Sequence, residues 1–182
     1  MEQRSTAMAH PAVTALTAVL GEPGTAGDAV DWEELARTTG LRLPADYRAF
    51  VELYGGGELD EYLAVRSPAE DLLDGLDFDP RQAPTALTGT SEEELEDGRL
   101  LPVATTVHGD VVFWLCDEPD PQRWDIVVFK RQALHGERRW TRFAMGFGEF
   151  LLGALTGTLA SPFSARGFDE PPHVYRHWSL PL

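Results

Sequence analysis

The chain has 182 residues, 43% of them hydrophobic and 10% aromatic, which suffices for one well-buried core and is marginal for two. This composition excludes wholesale disorder, and no apolar run approaches the roughly 20 residues that a membrane-spanning helix needs. Thirty acidic against 15 basic side chains leave a net charge of -15, which repels nucleic acid and anionic lipid and disfavours binding to either.

Glu2 dilutes the positive end that a signal peptide requires, so the N-terminal stretch reads as a first amphipathic helix. In "HPAVTALTAVL" Val13, Leu16, Val19 and Leu20 share one face, Pro11 suits a first turn and Gly21 a stop. After the linker "GEPGTAG", Asp31 caps a second helix, "DWEELARTTG", with Glu34 at the capping-box position and Trp32, Leu35 and Ala36 as its buried face. A third helix follows in "LRLPADYRAFVELYGGG": Leu43 and Pro44 open it, and Tyr47, Phe50, Val51 and Tyr54 recur at helical spacing.

"EYLAVRS" has the look of a short strand. Residues 69–99 combine acid with "DPRQAP" and "TSEEELEDG" and read as a long decorated insert holding one or two short helices. From Leu100 the period changes. "LLPVATTV" and "VVFWLCD" flank a turn at His108, Gly109 and Asp110 and predict a hairpin. "WDIVVFKR" and "RRWTRFA" supply further strands, and "GFGEFLLGALTG" predicts a closing helix with Phe147, Phe150, Leu151 and Leu155 inward. The Pro-rich tail leaves Phe163, Phe168, Tyr175 and Trp178 to pack back on the surface. Helices first, antiparallel strands next and a helix last give a single-domain α+β fold: N-terminal helices packed on a mostly antiparallel sheet and closed by a C-terminal helix. The expected division is 1–30 helix and linker, 31–157 α+β domain, and 158–182 tail.

The glycines Gly55, Gly56 and Gly57 admit two readings, a phosphate cradle or a helix stop. A phosphate loop precedes a helix, whereas this run follows one, no Lys-Ser or Lys-Thr comes after it, and the next residues are acidic. The helix stop is the better reading. His173 and His177 stand at i, i+4, a spacing zinc can use on a helix, but Val174, Tyr175 and Arg176 lie between them and Pro171 and Pro172 just before. Turn chemistry accounts for His108 and Asp110 without an acid-base pair. Cys116, the one cysteine, reads as a small buried hydrophobe, and its solitude fits a cytoplasmic protein. "DGLDFD" lacks calcium-loop spacing, and "SEEELED" reads as a capped helix start. No catalytic residue, cofactor or metal is expected.

Residues 58–97 hold 13 carboxylates against Arg66 and Arg81. This acidic middle is expected to meet a basic protein surface, through Glu58, Asp60, Glu61, Glu70, Asp71, Glu92, Glu93 and Glu94. A solvated, solubilising surface is the plainer alternative.

Taken together, the Trp32 and Leu35 helix, "LPADYRAFVELYGGG", the Gly-Asp hairpin of "LPVATTVHGDVVFWLCD" and the aromatic lead-in "WTRFAMGFGEFLLGALTG" resemble the SUKH superfamily. These are the Smi- and Knr-like proteins of bacterial immunity and fungal cell-wall regulation. The resemblance runs from about Asp31 to Gly157. It carries over Trp32, Leu43, Pro44, Tyr47, Gly55, Gly56, Gly109 and Asp110 as fold-specifying residues. Tyr54 stands where the pattern has an asparagine, and the acidic insert and the tail lie outside the common core, so partner choice does not carry over. The resemblance implies a domain without catalysis, in bacteria often an immunity protein that neutralises a cognate toxin. A regulatory scaffold is the alternative, and a small-ligand protein or enzyme with a pocket near the glycines the third reading.

Overall fold

The computed structural model describes residues 10–69, 99–160, 162–165 and 167–181. Helix α1 (Pro11–Leu20) starts where the His10 ring accepts from the Ala12 N–H at 3.3 Å, and it buries Val13, Leu16 and Leu20. The Asp31 carboxylate accepts from the Glu34 N–H at 3.0 Å and begins α2 (Trp32–Thr39), which ends in left-handed Gly40. Sequence periodicity buries Trp32, Leu35 and Ala36. The structure leaves all three half-buried, because α2 is only eight residues long and lies at the rim of the core, where Trp32 turns its Nε1 to Glu52 at 2.6 Å.

Helix α3 (Ala45–Tyr54) carries the centre of the core. Tyr47, Phe50, Val51 and Tyr54 are each no more than 1% exposed. The Tyr47 ring meets Trp114 edge-on at 4.7 Å and Phe147 at 5.5 Å, and its hydroxyl donates to the Arg66 carbonyl at 2.6 Å.

The strands are β1 (Gly57–Leu59), β2 (Leu63–Val65), β3 (Arg99–Thr106), β4 (Val111–Cys116), β5 (Asp125–Phe129), β6 (Trp140–Phe143) and β7 (Tyr175–His177). They form one antiparallel sheet in the order β6-β5-β4-β3-β2-β1-β7. Helix α4 (Phe147–Leu155) packs with α1 and α3 over one face, against Leu59, Leu63, Val65, Val112, Trp114, Ile126 and Val128. The architecture is α+β, as the order of sequence signals predicts. It differs in two respects: β1 begins inside the glycine run, and α4 is followed by a further strand, β7.

Strand register runs one continuous row across the face away from these helices: Arg176, Glu58, Ala64, Thr105, Val111, Phe129 and Trp140. Its first members are charged or small and its last are apolar. Around the apolar end Leu100, Phe113, Leu115, Val127 and Phe129 make a second cluster excluded from solvent. Cys116, expected to be buried, sits half-buried at the last position of β4. The insert expectations, including "DGLDFD" and "SEEELED", lie outside the described residues.

Candidate functional site: a glycine trough and its carboxylates

Gly55 ends α3 with φ 69° and an N–H bonded to the Val51 carbonyl at 2.8 Å. A helix stop needs one such residue; three glycines answer a second demand, for space. A Cβ on Gly55 would collide with the His177 ring, and one on Gly57 with the Arg176 carbonyl. On Gly56 it would stand 2.9 Å from Ser67 Cβ and 3.1 Å from the Trp178 ring. The glycines floor a trough, and residues 175–178 lie in it, β7 pairing Gly57–Leu59 and the Trp178 N–H donating to the Gly56 carbonyl at 3.1 Å.

Three carboxylates line the trough, and each meets a basic side chain of the C-terminal segment. Asp28 accepts from the Gly56 N–H at 2.8 Å and pairs with His177 Nε2 at 2.9 Å. Burial pushes its pKa up, but hydrogen bonds from Ser67, Gly56 and His177 outweigh that and hold it below the usual aspartate value of 3.8. Glu58 pairs with Arg176 at 2.7 Å. Asp60 pairs with His173 Nδ1 at 2.7 Å and accepts from the Val174 N–H at 2.7 Å. The other nitrogen of His173 faces the Leu155 carbonyl at the end of α4 at 3.1 Å, and the side chain is 2% exposed.

Asp60 and Glu61 form the β1–β2 turn with φ of 54° and 52°, and the Tyr62 N–H closes it on the Leu59 carbonyl at 3.0 Å. Two successive non-glycine residues in the left-handed region are costly. The bonds of Asp60 to residues 173 and 174 hold its half of that geometry.

Asp110 does more than shape a turn. Fully buried, it accepts from the Arg131 N–H at 2.9 Å, the Ser164 N–H at 2.7 Å and the Ser164 hydroxyl at 2.6 Å. It thereby binds the β3–β4 turn to β5's end and to the C-terminal segment, where Phe163 is 2% exposed against Phe150 and Tyr62. Asp46, also buried, accepts from the Gly148 N–H at 2.8 Å and so caps α4 from α3.

The structure thus places the expected partner-facing residues unequally. Glu58 and Asp60 are engaged by Arg176 and His173, while Glu61 is exposed in its turn. Glu70, Asp71, Glu92, Glu93 and Glu94 lie outside the described residues. Leu43 is buried and Pro44 stands at the N-cap of α3; Gly109 turns at φ 85° beside buried Asp110. The cradle reading of the glycines meets a specific obstacle: the Gly56 N–H already holds an anion, the carboxylate of Asp28. His177 ends β7 and His173 lies in the irregular chain before it, neither on a helix and each against its own carboxylate. Among the described residues no three His, Cys, Asp or Glu side chains gather as metal ligands.

Sequence reasoning missed Asp28, Ser67 and Asp46. The one available signal was "AGDAV", where Gly27 has no room for a Cβ against the carbonyls of Val51 and Glu52, marking a linker pressed onto α3.

Helices on one face of an antiparallel sheet, with the carboxylates of its glycine edge taken up by the chain's own basic side chains, define an α+β protein built around a strand-filled trough. The chain belongs to the SMI1 / KNR4 family (SUKH-1), whose family model matches residues 27–153. No curated protein and no solved structure matches the chain. The family match ends within α4, so β7 lies beyond it. No described helix is long and apolar enough to cross a membrane.

Proposed function

We propose that this chain is a non-enzymatic protein-binding module that acts in the cytoplasm as an immunity protein, binding and neutralising a cognate basic toxin. Membership of SUKH-1 over residues 27–153 is the observation that carries this reading. The charge supports it. Glu58 and Glu61 border a shallow depression on the helix-free face, with Tyr62, Ala64 and Thr105 to Val107 completing its wall. Glu61 makes this rim available to a partner's arginine or lysine, and the sequence extends the acid through Glu70, Asp71, Glu92, Glu93 and Glu94. Nucleic acid and membrane are not the intended partners of a chain with net charge -15.

Affinity capture from native extract at low and high salt identifies the partner. Reversal of Glu61 together with Glu92, Glu93 and Glu94 should then slow association and flatten its salt dependence, with Asp60 left intact because it holds the C-terminal segment. Unchanged affinity and salt slope would remove the acidic surface from the contact. Capture of a host assembly component in place of a toxin would move the protein to the scaffold reading.

A further inference from the structure

The turns β1–β2, β3–β4 and β5–β6 all lie at one end of the sheet. That end also holds the large apolar side chains that, among the described residues, are more than half exposed: Val174 at 62%, Val107 at 68% and Leu134 at 62%. Val174 stands beside Asp60, Val107 opens the β3–β4 turn, and Leu134 lies in the β5–β6 turn. Successive turns at this sheet end thus each present one exposed aliphatic side chain to an approaching protein.

The surroundings change sign across this end. Near Val174 the turn is acidic, with Asp60 and Glu61. Near Leu134 the sequence reads "KRQALHGERR", residues 130–139. The one carboxylate there is consumed locally, Glu137 accepting from the Leu134 N–H at 3.1 Å. Arg142 is taken up by Asp125 at 2.6 Å and Asp117 at 3.3 Å. Lys130, Arg131 and Arg138 have no carboxylate within ion-pairing distance among the described residues. The base of the loop is rigid, since Asp110 holds the Arg131 N–H and the Arg131 side chain lies over Gly109.

We propose that Val107 and Leu134, with Arg131 and Arg138 beside them, form a second docking surface, for a protein whose contact face sets carboxylates around an apolar side chain. The charge pattern selects that occupant. The chain's net charge of -15 repels an acidic partner from its other sides, so a cationic turn at one end fixes the orientation of approach. This surface borders the acidic contact proposed above, sharing Val107 with the wall of its depression, but its cations and Leu134 lie outside that contact and do not depend on it.

The test uses the full chain and a synthetic peptide of sequence Glu-Leu-Glu-Glu-Leu-Glu, followed by amide chemical shifts. The peptide is expected to shift the amides of residues 107–109 and 131–138, to leave the β1–β2 turn unmoved, and to bind more weakly as salt rises. R131E/R138E should weaken it at least tenfold, and L134S should weaken it without changing the salt slope. Arg138→Glu alone, on an exposed residue, serves if the double variant is less stable. Shifts spread evenly over the molecule, or binding indifferent to these substitutions, would overturn the proposal. So would tighter binding of a 12-base-pair DNA duplex at the same amides, which would make the surface a nucleic-acid site. Either failure leaves the Glu61 contact to be decided by its own charge reversal.

Discussion

Gly57 and Arg176 approach so closely that the backbone carbonyl of the arginine occupies the position a side chain on the glycine would take. The two strands are paired on either side of this contact, Gly57 with His177 and Glu58 with Arg176. Gly57→Ala therefore forces β7 away from β1. The expected cost is about 1–3 kcal/mol, as for other overpacked sites. Hydrogen exchange should locate it, with protection lost at β1 and β7 and kept at β4 and β5; a uniform loss, or none, would contradict the trough.

Glu61 makes the opposite case. Its φ of 52° favours glycine, and its side chain is exposed. Glu61→Gly should raise stability by about 1 kcal/mol by removing left-handed strain. A thermal melt reads this directly, and a lower midpoint would show that the Glu61 side chain supports the turn.

Acid should weaken the trough through Asp28. Its folded pKa lies below 3.8, so the carboxylate favours the folded state above that value, and the contribution is lost as pH falls through the folded pKa. Asp28→Asn removes this dependence. The difference in urea stability between wild type and variant should be constant at higher pH and shrink as pH falls below 3.8. A difference that grows toward acid would reverse the sign and sink the assignment.

Asp110 is excluded from solvent and accepts three part-buried hydrogen bonds, so Asp110→Ala takes the shared acceptor away from the donors of Arg131 and Ser164. The loss should be on the order of 3 kcal/mol or more. Its signature is exposure of Ser164 and Phe163 to solvent, followed by exchange at Ser164 and by limited proteolysis around residues 160–168. Retained protection at Ser164 would show that Phe163 alone holds the segment.

The helices were legible because each carries its own instructions. Asp31 and Gly40 bound α2, and Tyr47, Phe50, Val51 and Tyr54 repeat at a spacing only a helix satisfies. The β3–β4 hairpin was legible for the same reason, long apolar runs on both sides of Gly109. β1 and β7 were not. Each is three residues long, too short to show alternation, and one begins with a glycine. Their partnership spans 118 residues from Glu58 to Arg176, and no local pattern announces it. The carboxylates of the trough were hidden likewise. Glu58 and Asp60 read as facing outward because the Arg176 and His173 side chains that meet them come from far along the chain, and Asp28 sits in what resembles an ordinary linker. The glycine run itself gave the right end of a helix and withheld its second purpose, since clearance for a neighbour cannot be read without the neighbour.

The strand in the trough also orders events during synthesis. β1 and its glycines leave the ribosome long before residues 173–178 exist, and contacts of such sequence separation form late and slowly. Through that interval the nascent sheet has a bare margin at β1, with backbone groups free to pair with any passing strand. Translation speed and chaperone occupancy across the second half of the message should therefore govern the yield of native protein more than the stability of the finished fold.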